Sequence, residues 1–186
     1  MSPKRELVLD AAIDLLGSSG IRALTHRAVD AAAGMPVGSA SNYFRTREAL
    51  LIGIAERLSA RDYADWEVFN RQPAPRTIDE LIEGIAAFVV YAARIDRIRT
   101  LARYVLFLEA QTTPALQESV QQGHLLLTEL VGTLLVSAGG DQGAAQILVD
   151  QFDGIILHQV MNPTTGFDPR PALDRLVRAL INGTAH

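Results

Sequence analysis

Short polar side chains crowd one stretch of this chain. The run GSASNYF puts Ser39, Ser41 and Asn42 beside Tyr43, just after Val37-Gly38, with Arg22, Arg27, Arg45 and Arg47 close by in sequence. Hydroxyl and amide groups at that density can meet base edges or phosphate oxygens, and guanidinium groups can neutralise phosphate. Gly38 removes a side chain where backbone could approach a phosphate. The remaining candidates for chemistry are sparse. No two of the four histidines (His26, His124, His158, His186) lie four residues apart, so there is no helical metal pair of the metalloprotease type. There is no phosphate loop, Gly-rich nucleotide fingerprint or nucleophile elbow. The expectation is a chain without catalytic residues, metal or cofactor.

Two short helices at a tight turn would position the polar run. The first spans Thr25 to about Ala33: Thr25 can cap its first free amides, and Ala28, Val29, Ala32 and Ala33 sit at helical spacing, small enough for close approach. Gly34 follows the last periodic residue, where a helix can end in the left-handed conformation. Met35 can plug the corner, and Pro36 can start a second helix running to Phe44. Helix, glycine turn and helix make a helix-turn-helix, which lays its second helix in the major groove. That second helix is too short and polar to exist for burial, and Gly, Ser and Asn are poor helix formers. A merely structural hairpin has no need of the Arg27, Tyr43, Arg47 set.

The same residues resemble the DNA-binding domain of the TetR family of transcriptional regulators. The family pattern is a Thr opening the first motif helix, Ala-Gly and a hydrophobic residue, a Gly-Thr-hydrophobic-Tyr-x-Tyr/His-Phe segment, then a basic residue and Glu. It is matched by Thr25, Ala33-Gly34-Met35, Gly38-Ser39-Ala40-Ser41-Asn42-Tyr43-Phe44 and Arg47-Glu48. The likeness covers roughly residues 3 to 60. Asp30 stands where the family usually has Ala, Ala40-Ser41 replace a Leu/Tyr pair, and Pro36-Val37 replace a polar pair. The DNA-facing set expected on this basis is Thr25, His26, Arg27, Val37, Gly38, Ser39, Ser41, Asn42, Tyr43 and Arg47, with Arg47 on a phosphate.

The chain has 186 residues, 48% of them hydrophobic, which is ample for a core. It contains no Cys, which excludes a disulfide scaffold and fits a reducing cytoplasm. Glu6, Asp10 and Asp14 interrupt the apolar start, so that segment reads as an amphipathic helix and not a signal peptide. The apolar run from Leu125 to Ala138 holds Thr128, Glu129 and Thr133 and is too short to span a bilayer, so no membrane partner is expected. Net charge is −4, unlike a generally basic nucleic-acid coat protein. Residues 1–50 hold six Lys/Arg and five Asp/Glu, net +1; residues 51–186 hold eleven and sixteen, net −5. Cations cluster around the motif, and the acidic remainder keeps non-specific DNA binding low.

Outside the motif the sequence reads as helix throughout. Pro3 opens a first helix to Ser18 with Leu7, Val8, Ala11, Ala12, Leu15 and Leu16 as its buried stripe, stopped by Gly17 to Gly20. Thr46 caps a long helix to Phe69, and RQPAPR (71–76) is the clearest linker. Thr77-Ile-Asp-Glu80 is a capping box. Helices follow over about 77–94, 96–109, 113–137, 141–161 and 168–182. The fold class is all-α with about nine helices: a helix-turn-helix domain over 1–47 and a helical domain over 48–186, which the resemblance implies is a ligand-binding and dimerisation domain.

Polar groups on the apolar helices, Tyr91, Arg103, Tyr104, Phe107, Gln121, His124 and His158, with Trp66 at the end of the fourth helix, are the candidates for a small-molecule site. Each has a plainer role available as a satisfied core group, and Arg103 can pair with Glu109 or Asp96. The last two long helices carry apolar faces that include Phe152, Ile155, Ile156, Leu173, Leu176 and Leu180. The resemblance implies that this pair meets a second copy in a four-helix homodimer interface. It also implies a double-stranded DNA operator and a small-molecule effector as partners. A repressor released by a hydrophobic ligand follows. Two other readings stay open, a constitutive regulator or activator without a working ligand site, and an all-α enzyme.

Overall fold

The computed structural model describes residues 2–70 and 73–183, without the side chains of 66–70 and 182–183. Nine α-helices and no strand lie among the described residues: α1 Pro3–Ser19, α2 His26–Ala32, α3 Ser39–Tyr43, α4 Arg47–Asn70, α5 Ile78–Val90, α6 Arg97–Glu109, α7 Pro114–Ser137, α8 Ala145–Met161 and α9 Arg170–Gly183. The all-α expectation holds. A π-helical turn, Tyr91–Ile95, continues α5, and a 3₁₀ turn, Gln142–Ala144, precedes α8. The chain divides into two compact units, Met1–Phe69 with Ile98–Gly123, and Asn70–Arg97 with His124–His186.

In the first unit α1 supplies Val8, Leu9, Ala12, Ile13 and Leu16 to a core shared with Leu24, Val29, Phe44, Leu50, Ile54, Leu58, Ala102, Leu106 and Leu116. The buried stripe therefore differs from the expected one. Leu7 is 50% exposed, while Leu9 and Ile13 are fully buried. Two stripes at helical spacing overlap in this helix, and only the packing partners choose between them. Gly17 does not stop α1. It lies inside the helix, where a Cβ would come within 2.0 Å of the Ile98 carbonyl oxygen, so its missing side chain lets the start of α6 approach. The helix ends at Gly20, with φ of 76°. On the polar side Arg57 bridges Asp10 and Glu6, and Asp10 chiefly raises its pKa through a hydrogen bond.

In the second unit Thr77 caps α5, its Oγ1 accepting from the Glu80 amide at 3.2 Å, while Glu80 Oε2 accepts from the Arg76 amide at 2.7 Å. Leu81, Ile85, Val89, Leu135, Leu148, Val149, Phe152, Ile156, Leu173 and Val177 are buried there. Phe88 meets Phe152 edge-on, with ring centroids 5.6 Å apart. Arg178 of α9 pairs with Asp79 of α5. Of the expected linker, Arg71 and Gln72 lie outside the described residues.

Candidate nucleic-acid interface

The turn of the motif is built from local hydrogen bonds. Thr25 Oγ1 accepts from the Ala28 amide at 3.2 Å, which opens α2 as its sequence implied. At the other end Gly34 takes φ of 63°, its amide donating to Ala31 O (3.2 Å) and that of Met35 to Asp30 O (2.9 Å). Those two bonds form a Schellman motif, which needs a left-handed residue where Gly34 stands. Met35 packs against the core of the unit.

Beyond the turn the path departs from expectation. Pro36 does not begin the second helix. Pro36 to Gly38 form a turn, with the Ser39 amide on Pro36 O at 3.1 Å, and α3 starts at Ser39. Gly38 has φ of 93°, a conformation that strains any other residue, so the glycine is required for the backbone itself. Its place was legible in the sequence, but its reason was not.

α3 has five residues and buries only Ala40. An isolated helix of that length is unstable in water. Two side chains of α2 grip it. The Asp30 carboxylate, 2% exposed, accepts from the Gly38 amide through Oδ2 and from the Ala40 amide through Oδ1, both at 2.7 Å. His26 Nε2 lies 2.6 Å from Phe44 O; a carbonyl only accepts, so the ring nitrogen carries the proton. Sequence reasoning noted Asp30 only as a departure from the family pattern. The available signal was a lone carboxylate in a helix of alanines, just ahead of a glycine turn.

Of the expected DNA-facing set, Thr25, Arg27, Val37, Ser41, Asn42 and Tyr43 are exposed, Val37 at 82%. Gly38 and Ser39 are half-buried, and Ser39 Oγ donates to Pro36 O at 2.6 Å. Two residues have other work. His26 is turned inward to Phe44 O. Arg47 donates from Nη1 to Leu24 O (2.6 Å) and from Nη2 to Ile21 O (2.7 Å), tying the α1–α2 connection to α4. Its guanidinium, expected on a phosphate, thus holds two backbone carbonyls in the free chain. Arg22, Arg27 and Arg45 are exposed and have no ion pair among the described residues, so the free cations of the motif are these three.

The expected ligand residues separate by unit. In the first, Arg103 pairs with Asp62 of α4 at 2.7 Å, neither of the partners expected, Tyr104 meets Phe107 edge-on at 6.0 Å, and Gln121 is exposed. In the second, Tyr91 is 40% exposed, and Gln146 Nε2 joins His124 Nε2 (2.9 Å) to Asp150 Oδ1 (2.8 Å). His158 lines an open groove of about 580 Å³ on α8, with Asp150, Gln151, Ile155 and Phe167. The Trp66 side chain lies outside the described residues. Of the expected dimer residues, Phe152, Ile156 and Leu173 are at most 2% exposed within one chain, which leaves them no surface for a second copy. Ile155, Leu176 and Leu180 are half-buried. The apolar groups α8 exposes are instead Ile147 (52%), Leu157 (41%) and Met161 (67%).

Comparison with known proteins gives the following. Residues 8–54 match the family model described as bacterial regulatory proteins, tetR family, and residues 76–183 match tetracyclin repressor-like, C-terminal domain. No curated protein matches the chain. Among solved structures, the multidrug binding protein EbrR complexed with ethidium is 30% identical with a TM-score of 0.70, covering 93% of this chain and 98% of its own. A TetR family member from Streptomyces coelicolor A3 is 30% identical with a TM-score of 0.71, covering 94% and 98%. A transcriptional regulator from Rhodococcus sp. Rha1, at 20% identity and a TM-score of 0.76 over 98% and 97%, shares the fold.

Proposed function

The chain belongs to the TetR family of bacterial transcriptional regulators, and from that premise we propose that it is a cytoplasmic, homodimeric, ligand-released repressor. The observation that carries the reading is α3. It is a helix of five residues that buries one side chain, is held in place from α2, and presents Ser41, Asn42 and Tyr43 outward. Such an element contributes little to the core, and its exposed groups are those that read base edges and phosphates. Two copies would enter successive major grooves of a palindromic operator, about 34–36 Å apart, which requires a dimer. Arg22, Arg27 and Arg45 would bind backbone phosphate.

The dimer face we propose is the outer side of α8, where Ile147, Gly154 and Met161 lie along one stripe and a Cβ at Gly154 would meet nothing within 4 Å. A second helix can approach closely at such a glycine. His158 and the groove it lines are on the same side of α8, so a mate would cover them.

The effector we propose is a planar aromatic cation. EbrR is a multidrug binding protein seen with ethidium and with proflavin, at 30% and 31% identity. From Tyr104 to Pro169 this chain holds no Lys or Arg and seven Asp or Glu, so that stretch carries net negative charge. Tyr104 and Phe107 offer aromatic faces for stacking and cation–π contact. A ligand releases DNA only by binding the two conformers with different affinity. The test is selection of bound fragments from sheared genomic DNA, followed by proflavin titration of the complex formed with the enriched duplex. An enriched palindrome that proflavin releases supports the whole reading. No enrichment over random fragments would sink the regulator reading, and enrichment that proflavin leaves intact would sink the ligand class alone.

A further inference from the structure

We propose that Asp30 and His26 form a brace that orders α3 before any DNA is bound, and that this brace raises operator affinity without touching DNA. The inference rests on the DNA-binding reading above. Asp30 satisfies amides at the start of α3, those of Gly38 and Ala40, each at 2.7 Å. His26 satisfies the Phe44 carbonyl at the other end at 2.6 Å. The two grips sit four residues apart on α2, on neighbouring turns of one face. A carboxylate that is 2% exposed needs such donors, because a buried charge is retained only when it is hydrogen-bonded. The amides need it equally. Without Asp30 no other side chain caps the start of α3. Between the grips, Ser-Ala-Ser-Asn-Tyr has neither the length nor the propensity to stay helical. Order in α3 is therefore imposed by tertiary contacts, with Ala40 and Phe44 held in the core and the polar groups at both ends held from α2. Since affinity is reduced by whatever fraction of the reading helix is disordered, the brace acts on operator binding without touching DNA.

The test uses the full chain and two readouts. The first is amide hydrogen exchange at Gly38, Ala40 and Asn42 in the free protein. The second is the ratio of dissociation constants for a scrambled duplex and the enriched operator at fixed salt. Loss of charge-assisted bonds predicts that Asp30→Ala speeds exchange at Gly38 and Ala40 by about tenfold or more while Ile13 and Ile54 stay protected. The dissociation-constant ratio should fall by about tenfold, since scrambled DNA is held mostly through phosphates. His26→Ala should loosen the Phe44 end, and His26→Gln, which restores an N–H donor, should recover most of it. Val8→Ala, in the core of the same unit, serves as control: it lowers thermal stability and leaves the ratio unchanged. Unchanged exchange at Gly38 and Ala40 in Asp30→Ala would overturn the brace. So would an equal fall in the ratio for Val8→Ala at matched stability. Wild-type protein without operator preference would sink the function proposed above, while the exchange comparison would still decide whether Asp30 and His26 order α3.

Discussion

Arg27 and Arg47 stand at the two ends of the motif with the same side chain and different surroundings. Arg47 holds the carbonyls of Leu24 and Ile21, 23 and 26 residues away in sequence. Arg47→Ala should therefore lower the stability of the first unit by about 1.5 kcal/mol, the low end of the range for hydrogen bonds to charged groups because water reaches the guanidinium. A thermal melt would show it, while the salt dependence of DNA binding stays the same. Arg27→Ala should do the reverse, leaving the melt unchanged and reducing the slope of log affinity against log salt by about 0.9, the share of one phosphate. Equal salt slopes for Arg27→Ala and wild type would remove Arg27 from the interface. The contrast was not legible in the sequence, where both residues are cations beside a polar helix. Thr25 was legible, because its partner is the amide three residues on. His26 and Arg47 were not, because Phe44, Leu24 and Ile21 come within reach only once the helices have packed.

Among the elements, α1 shows how a glycine in a helix can be misread as a stop. Gly17→Ala raises intrinsic helix propensity, yet a Cβ there would meet the Ile98 backbone at 2.0 Å. We expect a net loss of about 1–3 kcal/mol from overpacking, read as a lower urea midpoint; a gain in stability would show that α6 can shift away. The sequence carried the period of α1 but not its phase, since Leu7, Ala11 and Leu15 are spaced as regularly as Leu9, Ile13 and Leu16. At the start of α9, Arg170 lowers the Asp168 pKa, first through its guanidinium hydrogen bond and then through its backbone amide. A depressed carboxylate stabilises the folded chain above its ordinary pKa, and the effect is lost as pH falls through the lowered value. The Arg170 amide should accordingly keep its protection through the usual aspartate range and lose it only in stronger acid. Loss in step with an ordinary aspartate titration would contradict the assignment.

For the molecule as a whole, the proposed dimer and the core make separable demands on α8. Met161→Asp and Ile147→Asp place charge on its exposed side, so light scattering should show monomers at micromolar concentration with the helical circular dichroism intact. Operator binding should fall with the dimer. Phe152→Ala removes a ring buried against Phe88 and should instead cost about 3–5 kcal/mol of stability. A dimer that survives both Asp substitutions would place the interface elsewhere. The helix count and the threonine caps at Thr25, Thr46 and Thr77 could be read from the chain, since each cap depends on an amide three positions away. Which apolar residues of α8 and α9 turn inward could not, because Phe152, Ile155 and Ile156 are equivalent until α5 is placed beside them.

The grip of α2 on α3 also bears on how such a protein changes its target over time. In a helix that stands by its own propensity, every exchange of a surface residue alters folding and recognition together. Here the fixed points are Asp30, His26 and Gly38, and none of them is among the exposed side chains at Val37, Ser41 and Asn42. Those outward positions can be rewritten one at a time while the frame stays standing. A library randomised at the three sites should yield folded members with new operator preferences, whereas one that also varies Asp30 should yield mostly silent ones.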